Sequence, residues 1–115
     1  MLQSINILKS GLESSSYKTP EFIAFAKTFK SEFTKELQSI GAKLMDFNVG
    51  HFYLSGFFSR NGKCYYFSLS DVREMEYQDQ IDLLYRTAKD CKDFQGGHNC
   101  YVRLETGMAK KMVLV

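Results

Sequence analysis

The residues that most restrict the fold of this chain are Asn61 and Gly62. A type I′ hairpin turn needs φ > 0 at both central positions, and Asn-Gly is the pair that accepts this most readily. Alternating runs flank it: His51 to Phe58 on one side and Lys63 to Leu69 on the other. A two-residue turn fixes the register. Arg60 then faces Lys63, Phe58 faces Tyr65, Gly56 faces Phe67 and Leu54 faces Leu69. These residues form one apolar face, on which Phe67 can cover the bare backbone of Gly56. The other face pairs Phe57 with Tyr66, Ser55 with Ser68 and Tyr53 with Ser70. It carries an aromatic stripe of Tyr53, Phe57 and Tyr66.

A long helix precedes the hairpin. Thr19 can cap it, Pro20 suits its first position and Glu21 suits the positive end of its dipole. Phe22, Phe25, Ala26, Phe29, Phe33, Leu37 and Ile40 follow at helical spacing, with Lys27, Lys30, Ser31, Thr34 and Gln38 on the opposite face. Gly41 reads as the left-handed residue that ends it. Between helix and hairpin, Met45, Phe47 and Val49 alternate with Asp46 and Asn48 as a first strand, and Gly50 marks a turn.

The remaining segments are shorter. Ile5, Leu8 and Leu12 fit a short helix face, and Ser14 to Ser16 a loop. Residues 71–80 read as a polar, acidic loop and residues 82–88 as a fourth strand. Residues 90–99 form a second loop, and residues 100–103 are a candidate further strand. Leu104, Met108, Met112 and Val115 match helical spacing, whereas 112–115 would equally suit an edge strand. No linker or repeat divides the chain, so residues 1–115 are expected to form a single α+β domain. Its expected architecture is a three- to four-stranded antiparallel meander packed on the N-terminal helix, with a short C-terminal helix. An exposed meander edge would offer a route to a homodimer.

Composition matters here for what it excludes. With 15 basic and 13 acidic residues, the net charge of +2 is too small to diagnose a nucleic-acid binder. Its longest apolar runs are only a few residues, so no helical membrane span is expected. The start of the chain lacks a basic segment followed by an apolar block, and its three cysteines are an odd number. Both features point to reduced thiols and a cytoplasmic location.

Each chemical constellation competes with a plainer reading. Cys91, His98 and Cys100, with Cys64 as a fourth ligand, supply donors that zinc prefers. The familiar paired Cys and His spacings are absent, however, and an unligated Cys is usually a small buried hydrophobe. The residues therefore favour no metal and no cofactor. A cysteine nucleophile with His51 or His98 as its base has no local signature around it. The acidic run Asp71, Glu74, Glu76, Asp79 and Asp82 has the character of a solvated loop. Arg86, Lys89 and Lys92 precede Gly96 and Gly97, whose backbone amides could meet an anion. Arg60 and Lys63 near the hairpin turn, beside the aromatic stripe, follow the logic of a base-stacking platform. The plainer reading of that stripe is core beneath a helix.

Three stretches carry a resemblance: FNVGHFYLSGFF from Phe47, YFSLSDVR from Tyr66 and RTAKDCKDFQGGHN from Arg86. Together they resemble a group of small proteins carried by bacterial phages and conjugative elements. The resemblance spans roughly the middle half of the chain and implies a mobile-DNA setting. Small proteins without enzyme motifs in that setting are often host-defence antagonists, including anti-CRISPR proteins. The polar members of the shared stretches are Asp71, Arg73, Arg86, Lys89, Lys92, Asp93, Gly96, Gly97 and Asn99. Either they form a binding surface, or Asp71 and Arg73 pair with Lys89 or Asp93 to hold the sheet end together. The expected function is a non-enzymatic binding protein that occupies a host protein or nucleoprotein surface, such as a CRISPR effector. One alternative is a nucleic-acid-binding module using Arg60, Lys63, Arg86, Lys89 and Lys92. A second is a small Cys/His metal-dependent enzyme.

Overall fold

The computed structural model describes residues 19–50, 53–69, 82–90, 92–93 and 97–114. The short helix expected near Leu8 and the acidic loop at 71–80 lie outside them. Helix α1 (Thr19–Gln38) is followed by strands β1 (Lys43–Val49), β2 (Leu54–Arg60), β3 (Lys63–Leu69), β4 (Asp82–Ala88) and β5 (Cys100–Arg103), then by the short helix α2 (Met108–Lys111). The strands form one antiparallel sheet in the order β1-β2-β3-β4-β5. The α+β class is as expected, with five strands where three to four were expected. Cys100–Arg103 supplies the fifth, and four residues are too short a run for alternation to declare itself. Met112 to Leu114 continue beyond α2 without strand structure.

The end of α1 follows from its sequence. Gly41 has φ +72°, the Ala42 N–H donates to the Leu37 carbonyl at 2.9 Å, and the Gly41 N–H donates to the Gln38 carbonyl at 3.1 Å. This is a Schellman motif, with buried Ala42 and Leu37 as its apolar pair. The hairpin is likewise as read: Asn61 and Gly62 have φ 53° and 79°, and Arg60 pairs with Lys63.

Register decides which face is core. Leu54, Phe58, Tyr65, Phe67 and Leu69 are buried on the face that meets α1. From the helix, Phe22 meets Phe25 at a tilt with centroids 6.0 Å apart, and Phe25, Phe29 and Phe33 stack in succession at 5.7 and 5.3 Å. Phe33 meets the sheet edge-on, 4.9 Å from Phe67 and 6.1 Å from Phe58. Leu83, Tyr85 and Val102 extend this core under β4 and β5, and Met108 and Met112 close it.

One departure from simple alternation lies in β1. Leu44 pairs with Phe58 and Asp46 with Phe57, so Met45 is an extra residue, a β-bulge. The bulge drives the Asp46 carbonyl toward Gly56, where any Cβ would overlap it and the Phe67 ring. Phe47 still turns inward, while Met45 is left outside.

Candidate functional site

The hairpin and the antiparallel registers bring several of the expected residues to one end of the sheet. Lys43 opens β1 opposite Ser59, Arg60 faces Lys63 across the turn, and Lys89 follows Ala88, which faces Cys64. Lys43, Lys63, Lys89 and Lys92 are exposed. Arg60 is half-buried, and its Nε donates to the Ile40 carbonyl at 3.0 Å, tying β2 to the turn after α1. Beyond β4, the Lys89 N–H donates to Asp93 Oδ2 at 3.0 Å and the Lys92 N–H to Asp90 Oδ1 at 2.8 Å. Asp93 thus closes the loop on itself, and the lysine ammonium groups stay at the surface. Gly97, at φ +86°, lies where any Cβ would overlap the Thr87 carbonyl, so it seats the loop against β4. Asn99 is exposed.

Arg86 stands apart from this group. It is two residues before the end of β4, on the face away from α1, and only 6% exposed. Its guanidinium carbon lies 4.4 Å from the centroid of the Tyr66 ring, a cation–π contact. Phe57 is fully buried on the same face, edge-on to Tyr66 at 5.4 Å. Tyr53 is 47% exposed, with its ring over the Gly50 backbone. The aromatic stripe is therefore graded: buried at Phe57, covered by Arg86 at Tyr66 and open at Tyr53.

Cys64 lies on the far face of β3, whereas Cys100 pairs with Tyr85 on the helix face. Neither forms a disulfide. Among the described residues, no group of three His, Cys, Asp or Glu side chains converges on a metal-sized point. Cys91, Gly96, Asp71 and Arg73 lie outside the described residues. Where β5 stops short of the end of β4, a pocket of about 150 Å³ opens between Tyr65, Tyr85, Thr87, His98, Cys100 and Val113. The Tyr85 hydroxyl at its wall accepts the Val113 N–H at 2.8 Å.

Sequence reading missed the outer side of β1. Met45 is 49% and Val49 51% exposed along this edge. A shallow groove of about 290 Å³ runs between β1 and α1, lined by Lys30, Leu44, Met45, Asp46 and Phe47. The Lys30 ammonium sits 5.7 Å from the Phe47 ring centroid at its floor. The signal was hidden because Leu44 and Met45 are both apolar, so the bulge leaves no break in the pattern. At the opposite edge Tyr101 is exposed on the short β5.

Fold and surfaces together define an α+β domain in which a helix covers one face of a five-stranded meander, with β1 an outermost strand among the described residues. No helix among the described residues is long and apolar enough to cross a membrane. Comparison with protein-family models, curated proteins and solved structures finds no match.

Proposed function

We propose that this chain is a non-enzymatic binding protein that occupies the surface of a host protein or nucleoprotein, using β1 as its docking edge. The observation that carries this reading is the pair of half-exposed apolar side chains, Met45 and Val49, on an outermost strand. An outermost strand offers backbone N–H and C=O groups to an added strand. Backbone hydrogen bonds then supply affinity, and the alternate side chains supply specificity. The shallow groove beside β1 is open and mostly polar at its surface, and Lys30 and Asp46 there give an added segment polar partners next to Met45. The resemblance to proteins of phages and conjugative elements makes a host defence complex, such as a CRISPR effector, the expected class of target.

The test compares the tagged chain with a Met45→Ser/Val49→Ser variant in capture from a host lysate, with and without nuclease. One complex that survives nuclease and is recovered at least tenfold less by the variant supports the reading. Equal recovery by both proteins refutes the docking edge. A captured defence nuclease whose activity is unchanged by saturating protein refutes the inhibitory role.

A further inference from the structure

We infer that the end of the sheet bearing Lys43, Lys63, Lys89 and Lys92 binds the phosphate backbone of nucleic acid. This inference stands independently of the β1 edge, because a different observation carries it. The four lysines and Arg60 are dispersed over about fifty residues of sequence, yet the registers place Lys43, Arg60 and Lys63 at one end of the sheet with Lys89 just beyond the end of β4, and Lys92 lies in the loop that follows. Neighbouring strands lie about 4.8 Å apart, so the row spans about 14 Å. B-DNA presents one phosphate charge per 1.7 Å of axis, or about eight over that length, more than enough to meet every cation.

The local charge is less balanced than the chain's net +2 suggests. The adjoining loop contributes two carboxylates, and both accept its own backbone N–H groups: Asp93 from Lys89 and Asp90 from Lys92. Lys43, Lys63, Lys89 and Lys92 are exposed, and the only ion pair between described residues is Lys111 with Glu105, elsewhere in the fold. Arg60 is partly committed to the Ile40 carbonyl and acts mainly by holding the turn that presents Lys63. Arg86 takes no part, because its guanidinium is buried against Tyr66. Long, flexible ammonium groups make point contacts to phosphates without reading bases, so the surface should be indifferent to sequence.

The experiment is fluorescence anisotropy of a labelled 20-base-pair duplex titrated with the purified chain at 50 and 200 mM NaCl. Four phosphate contacts predict a log–log salt slope near −3.6, which weakens binding about 150-fold between the two salt concentrations. A Lys63→Gln/Lys89→Gln/Lys92→Gln variant, with unchanged circular dichroism, should lose about three units of that slope. The Met45→Ser/Val49→Ser variant should bind the duplex as the parent does, which separates this surface from the docking edge. Absence of binding at 50 mM, or a triple variant that binds like the parent, overturns the inference. Displacement of the duplex by polyglutamate at equal charge concentration also overturns it, and assigns the surface to acidic protein segments instead.

Discussion

Replacing Glu36 with alanine should loosen the C-terminal segment from the rest of the fold. Glu36 lies in the last turns of α1, and its carboxylate reaches across to the entry of α2. Oε2 accepts the Gly107 N–H and Oε1 the Ala109 N–H, each at 3.1 Å. These are orphan donors at the start of a helix, and α2, at four residues, is too short to hold itself together. Gly107, at φ +86°, brings no side-chain cap of its own. Hydrogen bonds to a charged acceptor contribute about 1.5–3 kcal/mol each when well buried. Glu36 is half-buried, so both bonds are discounted for solvent screening, leaving about 2–3 kcal/mol for the pair. Glu36→Gln keeps an acceptor but not the charge and should cost about half as much. Chemical denaturation followed by far-ultraviolet circular dichroism measures both, with exposed Lys27→Ala as a control expected within about 0.5 kcal/mol of the parent. If Glu36→Ala also falls within that range, the remote cap is not what holds α2, and burial of Met108 and Met112 suffices. Hydrogen exchange gives a second readout: amides of 107–114 should lose protection in Glu36→Ala before those of β2 and β3 do.

Other substitutions test the backbone geometry and the remaining contacts. Gly56→Ala should cost about 3 kcal/mol in denaturant midpoint analysis, because the added carbon must displace the Asp46 carbonyl at the bulge or the Phe67 ring. Gly62→Ala meets open space but must adopt φ +79°, so thermal unfolding should show a loss of only about 1 kcal/mol. Tyr85→Phe leaves the Val113 N–H without its acceptor and should cost about 1 kcal/mol, seen as reduced protection of that amide. The hydrogen bond from Lys111, reinforced by the charges of Lys111 and Arg103, holds the Glu105 carboxyl below its ordinary pKa. A group depressed in the folded state stabilises above its unfolded pKa, and that contribution is lost as pH falls through the folded value. Lys111→Met should therefore lower stability slightly at neutral pH and flatten the acid limb of a stability-against-pH curve, while leaving stability below the folded pKa nearly unchanged.

The elements legible in the sequence are those whose geometry a few local residues dictate. Asn61 and Gly62 specify both left-handed positions of the turn, and one turn then fixes every β2–β3 partner. Gly41 specifies the helix stop in the same local way. The bulge at Met45 was not legible, because its cause is tertiary: the inserted residue lets Phe47 reach the core while Gly56 admits the Asp46 carbonyl. Arg86 misled for a related reason. An arginine followed by Lys89, Lys92 and the Gly96–Gly97 loop reads as part of a basic surface, yet β4 places it over Tyr66, where a delocalised cation can be buried against a ring. The convergence of Lys43 with Lys63 and Lys89 was hidden as well, since only strand order reveals it.

The two proposed surfaces meet at Lys43, the first residue of β1 and a neighbour of Arg60 through its pairing with Ser59. A target made of protein and nucleic acid together could therefore engage both at once. Each contact would raise the effective concentration of the other, so their contributions to affinity should multiply. On such a target the Met45→Ser/Val49→Ser change and the triple lysine change should each weaken binding strongly, and together abolish it. On naked duplex only the lysines should matter, and on the isolated protein component only the edge. Binding of the full nucleoprotein that is insensitive to either change alone would mean the two surfaces serve different partners, and the shared position of Lys43 would then be incidental to function.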